Sequence, residues 1–206
     1  DPFAPLYNGV FSARMPLKQM NTDCENRLED WAEPSSVWAS LIGDNYKYPY
    51  SIIQKAWKNI LSNQQHDGIG GCHVDRVTTT MIERYKDSKD LAETVTRNSL
   101  SSIVANIDYS NLGKKEVALT TFNNLPYPRT EVVEAEVDIP HSWGLRFIPG
   151  HHYKLPIEVD IFDENNTKLR CQLVSLEDKT VFSYLKYGSH VNDDATKCRF
   201  LFEAKD

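Results

Sequence analysis

Thirteen consecutive residues, Asn63 to Asp75, concentrate the side chains of this sequence that could carry out chemistry. They include a His-Asp pair, three glycines, a cysteine, a second histidine and a second aspartate. A neutral imidazole is a good zinc ligand, and a neighbouring carboxylate can bind the same metal or accept hydrogen bonds from sugar hydroxyls. We therefore identify His66 as a candidate metal ligand and Asp67 as a candidate substrate-binding residue. The structural alternative is that both cap helix ends and bond to the backbone of the turn.

Three further side chains of the same stretch could ligate a metal: Cys72, His73 and Asp75. A self-contained site built from these three together with His66 and Asp67 is one alternative. Helical spacing on both sides of the turn favours scattering of the five side chains over convergence. We expect Asp75 to be a first-turn carboxylate, stabilised by the dipole of the following helix, and Cys72 to be buried.

Apolar residues at helical spacing flank the stretch on both sides, which predicts a tight turn between two helices. The preceding helix covers about residues 50–63, and the following helix about residues 73–108. Glycine permits positive φ angles and the close approach of other groups, and a turn this tight requires both. His66 and Asp67 should lie at the mouth of that turn.

Two shorter apolar patterns precede these helices. The first helix should begin at Leu17 and end at Glu33-Pro34, because the residue before a proline disfavours the α region. The second should run from Ser35 and end at Gly43. Residues 1–110 are therefore predicted to form a bundle of three to four helices.

From Asn111 onward the pattern changes to alternation of apolar and charged residues, as in Val133-Glu134-Ala135-Glu136. A period of two is typical of half-buried antiparallel strands, and turn-forming residues such as Asp163-Glu164-Asn165-Asn166 separate the segments. We predict that residues 111–206 form an antiparallel β domain. The predicted fold class is α+β, with a helical bundle followed by an antiparallel β-sandwich-like portion.

The composition excludes several classes of protein. A net charge of −6 argues against nucleic acid as the main partner, because phosphate binding requires clustered lysine and arginine. No apolar run approaches the roughly 20 residues that span a bilayer, so no membrane partner is expected. The four cysteines are far apart and form no CxxC pair, so we expect free thiols in a reducing compartment.

The glycine-rich stretch also carries a family resemblance. Ala56-Trp57-Lys58 and the run from Asn63 to Asp75 resemble the signature of glycoside hydrolase family 38, the α-mannosidases, and look most like its bacterial branch, which includes mannosylglycerate hydrolases. Phe11 to Asn21 is similar to the family's Ser/Thr-x-Arg-containing helix start, and Thr121 to Arg129 is similar to its first β-domain strand and turn. The resemblance covers most of residues 10–130.

The resemblance implies a specific chemistry. Members of this family are retaining enzymes with a catalytic zinc, which implies zinc as the cofactor, an α-mannoside as the substrate, His66 as a zinc ligand and Asp67 as a contact to substrate hydroxyls. The other ligands, the nucleophile and the general acid are implied to belong to an N-terminal catalytic domain outside these residues. His73-Val74-Asp75 has the letters of the family's other ligand pair, His-x-Asp, but stands in a different place, so that role is not transferred to it. No catalytic residue is assigned within the chain.

Two interpretations follow. In the first, residues 1–110 are the helical middle domain of a bacterial, cytoplasmic mannosidase and residues 111–206 begin its β domain. The chain then supplies one edge of an active site and is inactive by itself. In the second, the chain is a non-catalytic module for carbohydrate binding, scaffolding or oligomerisation. A homo-oligomer is compatible with both.

Overall fold

The computed structural model describes residues 9–43, 45–143, 159–184 and 190–205. The chain divides into two compact units between Asn111 and Leu112. Helices make up the first unit and antiparallel strands the second, which confirms the predicted α+β class. No helix in the described ranges is long and apolar enough to cross a bilayer.

The first unit is built around its longest helix, which spans 30 residues. The chain-order elements are α1 (Met15–Asn26), a π-helical segment (Arg27–Ala32), α2 (Glu33–Ile42), α3 (Tyr50–Asn63), α4 (His66–Gly70) and α5 (Asp75–Val104). Helices α1, α2 and α3 all pack against α5. The predicted helix over residues 50–63 is confirmed at both ends, and the long helix ends at Val104 instead of Asp108.

The buried stripe of α5 follows helical spacing and mixes apolar with small residues. Its members are Met81, Tyr85, Ser88, Ala92, Val95, Ser99 and Ile103. The Ser88 hydroxyl donates a hydrogen bond of 3.1 Å to the carbonyl of Ala56 in α3. Small residues therefore let α3 and α5 approach closely while the buried hydroxyl keeps a partner. Leu17, Leu28, Ile53 and Ile60 complete the core around this stripe.

The predicted helix end at Glu33-Pro34 is wrong, because the helix continues from α1 into α2 through the π-helical segment. Proline has no backbone N–H group, and in a regular α-helix its ring clashes with the carbonyl four residues earlier. Here the N–H of Glu33 bonds to the carbonyl of Leu28, five residues back. This wider turn opens the backbone just before Pro34, so the chain passes the proline without breaking.

Within residues 112–143, 159–184 and 190–205, the second unit contains a three-stranded sheet and a two-stranded sheet, both antiparallel. Its elements are β1 (Thr130–Pro140), a 3-10 turn (His141–Trp143), β2 (Ile161–Phe162), β3 (Lys168–Leu169), β4 (Cys171–Tyr184) and β5 (His190–Lys205). The strand order in the larger sheet is β1-β5-β4. A strand predicted within residues 121–129 is absent from this described range, where Asn123 instead forms a turn by accepting the N–H of Leu125.

The alternating pattern of β1 is explained by its register with β5. Val133 lies opposite Phe202 and Ala135 opposite Phe200, and these side chains share one face with the β2–β3 pair through Ile161 and Leu169. On the other face, Glu136 accepts a hydrogen bond of 3.0 Å from Lys197. Apolar residues thus point to a shared core and charged residues to solvent, which gives two layers of β structure.

Candidate functional site

His66 and Asp67 are the first two residues of α4, and both side chains face solvent. The side chain of His66 is 93% exposed and that of Asp67 is 62% exposed. The Nε2 atom of His66 lies 3.3 Å from Oδ1 of Asp67. The two residues singled out from the sequence therefore form one accessible imidazole–carboxylate pair.

The capping alternative for these two side chains is wrong, because the residue before them fills that role. Gln65 is the N-cap of α4, and its side-chain oxygen accepts a hydrogen bond of 3.1 Å from the N–H of Asp67. A capping side chain satisfies one of the N–H groups that have no partner within the helix. The imidazole and the carboxylate are consequently left to point outward.

Two glycines allow the chain to turn this tightly. A Cβ atom on Gly68 would lie 2.5 Å from the carbonyl oxygen of Asn63, a distance that real Cβ atoms do not adopt. Gly71 has a φ angle of +79°, which L-residues with side chains rarely adopt, and it lies against Ala13. The structure therefore confirms the two functions expected of glycine in this stretch. The predicted simple turn, however, contains the one-turn helix α4.

Two cations at the start of α1 bind the far end of this turn. Arg14 donates hydrogen bonds to the carbonyl of His73 at 2.8 Å and to the Asp75 carboxylate at 2.9 Å, and reaches the Gly71 carbonyl at 3.4 Å. Lys18 donates to the carbonyl of Ile69 at 2.6 Å. Carbonyl groups that lack a helical partner are thereby paired with charged donors.

The remaining candidate ligands have other partners. Both ring nitrogens of His73 are in hydrogen-bond contact, one with the carbonyl of Asp67 at 3.1 Å and the other with the hydroxyl of Thr78 at 3.0 Å. Asp75 begins α5, as predicted, and pairs with Arg14. Cys72 is exposed, so the expectation that it would be buried is wrong.

The chain just before α4 is fixed by two amides whose role the sequence analysis missed. The side chain of Asn63 is almost fully buried and donates to the carbonyl of Met81 in α5 at 2.9 Å. The side chain of Gln64 donates to Asn21 at 3.0 Å and to Glu25 at 2.7 Å, both in α1. The position of consecutive amides at the end of an amphipathic helix was the available signal, since buried polar groups require partners.

The described residues contain no group of three or more His, Cys, Asp and Glu side chains that could hold a metal ion. Imidazole nitrogen and carboxylate oxygen are nevertheless donors that zinc accepts, and His66 and Asp67 present one of each at adjacent positions. The pair fits part of a zinc site, because a catalytic zinc typically has three protein ligands and an open position.

The sequence and the fold were compared with known proteins. Residues 5–103 match the family model described as the alpha mannosidase middle domain. A crystal structure of an alpha-mannosidase from Enterococcus faecalis superimposes with a TM-score of 0.76 at 25% identity, covering 96% of this chain and 22% of that chain. A second structure from the same organism, described as a protein in glycosyl hydrolase family 38, gives a TM-score of 0.71 at 25% identity, covering 96% of this chain and 23% of that one. The chain therefore contains the middle domain of a family 38 α-mannosidase.

Curated proteins with similar sequences include one from an animal and one from a bacterium. Alpha-mannosidase 2C1 from Mus musculus is 30% identical over 152 residues, which is 73% of this chain and 14% of that protein. A putative mannosylglycerate hydrolase from Halalkalibacterium halodurans is 31% identical over 108 residues, or 52% of this chain and 12% of that protein. The chain thus spans less than a quarter of each of these relatives, and the glycine-rich stretch lies within the part that matches the middle domain.

Proposed function

We propose that this mannosidase chain supplies one edge of a zinc-dependent active site that hydrolyses α-mannosides with retention of configuration. The observation that carries the proposal is the exposed His66–Asp67 pair at the start of α4. The pair projects from a turn that buried amides, glycines and two cations hold against α1, α3 and α5. A rigid turn that presents polar side chains to solvent is suited to binding and not to packing.

His66 is proposed as the metal ligand and Asp67 as the substrate contact. A neutral imidazole can bind zinc through Nε2, and the Asp67 carboxylate beside it can accept hydrogen bonds from vicinal sugar hydroxyls. The chemistry supplied by a bound zinc ion is to orient those hydroxyls and to stabilise the distorted sugar ring as charge develops at the anomeric carbon. Asp67 would therefore order the same hydroxyls from the protein side.

The remaining groups of the reaction are proposed to lie in an N-terminal catalytic domain outside these residues. Retaining glycosidases use two carboxyl groups about 5 Å apart, one as nucleophile and one as acid and base. We assign neither of them within this chain. The chain alone is therefore expected to be inactive on α-mannosides, and the glycosidic linkage it serves would be chosen by groups outside it.

A cytoplasmic location is proposed on the state of the cysteines. Cys24, Cys72, Cys171 and Cys198 are all free in the structure. Free thiols, two of them exposed, are usual in a reducing compartment.

The proposal is tested by zinc titration calorimetry on two proteins, the full-length enzyme and the chain of residues 1–206. Full-length enzyme should bind one zinc ion tightly, and His66→Ala should weaken that binding by at least about tenfold. His141→Ala, which removes an imidazole from the β unit, serves as the matched control and should leave zinc binding unchanged. The isolated chain should bind zinc weakly and should not release nitrophenol from 4-nitrophenyl α-mannoside.

Two outcomes would contradict the proposal. Tight stoichiometric binding by the isolated chain, abolished by His66→Ala, would mean that the site is self-contained. Full-length protein that binds no zinc and hydrolyses no α-mannoside would favour a non-catalytic carbohydrate-binding or scaffolding module.

A further inference from the structure

We propose that Arg14 is a positioning residue that fixes the turn bearing His66 and Asp67 in its ligand-binding conformation. This inference rests on the proposed function, because it concerns the same pair. Arg14 belongs to the start of α1, 52 positions before His66 in the sequence, and touches neither reacting group in the described structure. Its effect would pass through the backbone of the turn.

The guanidinium of Arg14 holds three points on the turn. It donates from Nη2 to the carbonyl of His73 at 2.8 Å and to the Asp75 carboxylate at 2.9 Å, and from Nε to the carbonyl of Gly71 at 3.4 Å. Arginine offers five donors in a planar fork, so one side chain can span these acceptors. The residues from Gly71 to Asp75 are thereby tied to the start of α1.

The backbone of Arg14 is itself held in an uncommon conformation. Its φ angle is +50°, in the left-handed region, where residues other than glycine are seldom found. Such a conformation persists only when surrounding contacts hold it, and it occurs often at functional sites. The left-handed residue caps α1 and places the side chain against the turn.

Two successive contacts connect Arg14 to the His66–Asp67 pair. Arg14 holds the carbonyl of His73, and the ring of His73 lies 3.1 Å from the carbonyl oxygen of Asp67. The N–H of Cys72 donates to the same Asp67 oxygen at 3.1 Å. Cys72 and His73, both within the segment that Arg14 contacts, therefore bond to the main chain of Asp67. A shift of the turn would move the Asp67 backbone and, with it, the neighbouring imidazole.

The contacts to carbonyl groups, and not the ion pair, should carry this effect. The side chain of Asp75 is 96% exposed, and ion pairs so close to water contribute little. The contact to the His73 carbonyl is part-buried and charge-assisted, which makes it the stronger link. Asp75→Asn should therefore behave like the unaltered protein, whereas loss of the guanidinium should not.

The test compares Arg14→Ala, Arg14→Lys and Arg14→Gln in the full-length enzyme with Arg27→Ala as a matched control. Arg27 is also a partly exposed cation that joins two helices, because it pairs with Asp23 in α1 and with Glu93 in α5. Within the described residues it forms no ion pair with the turn. Three quantities are measured: the zinc dissociation constant, the visible spectrum of the cobalt-substituted protein, and amide hydrogen exchange over residues 65–73 without metal.

Arg14→Ala should weaken zinc binding by about 10- to 100-fold, the range found for residues that orient metal ligands. It should also alter the cobalt spectrum and speed amide exchange in the turn. Arg14→Lys keeps the charge without the fork, so it should fall between Arg14→Ala and the unaltered enzyme. Arg27→Ala should lower the unfolding temperature but leave zinc affinity and the cobalt spectrum unchanged.

The inference is overturned if the Arg14 variants lower only the unfolding temperature, as Arg27→Ala does, with unchanged zinc affinity and spectrum. If Arg14→Ala does not fold, the comparison of Arg14→Lys and Arg14→Gln with Arg27→Ala decides the question. His66→Ala in the same series separates the two proposals. Retained zinc binding in His66→Ala overturns the proposed function, whereas lost binding in His66→Ala with normal binding in Arg14→Ala overturns this inference alone.

Discussion

The Nδ1 atom of His73 lies 3.1 Å from the carbonyl oxygen of Asp67. Because a carbonyl only accepts hydrogen bonds, this contact requires the proton on Nδ1, and Nε2 is then free to accept the hydroxyl of Thr78 at 3.0 Å. The ring thus bridges the short helix α4 and the first turn of α5. His66, seven positions earlier, projects into solvent. The two histidines of the glycine-rich stretch therefore have opposite functions, one structural and one available for binding.

The first prediction follows from that contrast. In the metal-free protein, His73→Ala should lower the free energy of unfolding by about 1–3 kcal/mol, because two hydrogen bonds are lost at about 0.5–1.5 kcal/mol each. His66→Ala removes an imidazole that is 93% exposed and should change the stability by less than about 0.5 kcal/mol. Urea unfolding of both variants measures this. Equal destabilisation by the two substitutions would show that the structural contacts of His73 are not formed in solution.

A second prediction concerns two glycines of α4. Gly68→Ala places a methyl group 2.5 Å from the carbonyl oxygen of Asn63 and should destabilise the protein by about 1–3 kcal/mol. Gly70→Ala meets its nearest atom, in Val10, at an ordinary 3.4 Å and should be neutral or stabilising by up to about 1 kcal/mol. Thermal unfolding distinguishes the pair. If Gly68→Ala is as stable as Gly70→Ala, the close approach to Asn63 is incorrect.

The third prediction is a pH dependence that originates at Asp23. Burial, the largest single influence, would raise the pKa of this carboxyl, but Lys89 and Arg27 together outweigh it and hold the pKa below its usual value of 3.8. Lys89 lies 3.2 Å and Arg27 3.0 Å from the carboxylate. Since the folded pKa is lower than the unfolded one, the stabilising effect is present above pH 3.8 and is lost as the pH falls through the folded pKa.

Urea unfolding between pH 6 and pH 3 tests this expectation (these two pH values are about two units above and one below the ordinary carboxyl pKa). Asp23→Asn should lose stability at pH 6 and lose less on further acidification than the unaltered chain does. Lys89→Gln, which removes one partner and keeps the carboxylate, should give an intermediate profile. An acid profile in Asp23→Asn that parallels the unaltered one would assign the pH dependence to other groups.

The fourth prediction concerns thiol reactivity. Burial, with a smaller contribution from the charge of Asp23, raises the pKa of Cys24 to about 11, and the thiol also donates a hydrogen bond to the carbonyl of Tyr85. Thiolate is the reactive form, so Cys24 should resist alkylation in the native protein at pH 8. Cys72 and Cys171 are exposed and should react first. Mass spectrometry after brief iodoacetamide treatment locates the labels, and Cys72→Ser provides the control. Rapid labelling of Cys24 would indicate that the helical core opens.

The elements with strong periodicity could be predicted from the sequence. Helix α3 was predicted from Tyr50 to Asn63 because apolar residues recur on one face and flanking loops limit it. The pairing face of β1 was predicted because Val133 and Ala135 alternate with glutamates. The His66–Asp67 pair was identified by residue type and spacing, and the structure places it at an accessible helix start. Local patterns were sufficient in each case.

What the sequence did not reveal depended on contacts between distant segments. Arg14 was noticed only as part of a family resemblance, because its partners lie 57 to 61 positions away. Asn63 and Gln64 look like ordinary polar residues at a helix end, yet they bond to α5 and α1. Pro34 was predicted to end the helix because the amino-acid composition carries no clear signature of a π-helical turn. In that turn the N–H of one residue bonds to the carbonyl five residues earlier.

The π-helical segment also explains how one continuous helix keeps its buried stripe facing α5. Cys24, Leu28, Ala32 and Ser36 are all buried at steps of four residues. In a regular α-helix each such step advances about 40° beyond a full turn, so three steps would rotate the stripe by about 120°, roughly the angle taken up by one residue. The π-helical segment accommodates one extra residue, so the buried residues before and after it stay on the same side of the helix. A one-residue deletion within it, made together with Pro34→Ala so that no proline ring clashes in the restored α-helix, should therefore keep the buried residues before and after it aligned with α5. The same deletion within α1 would turn the residues on either side of it out of phase with α5.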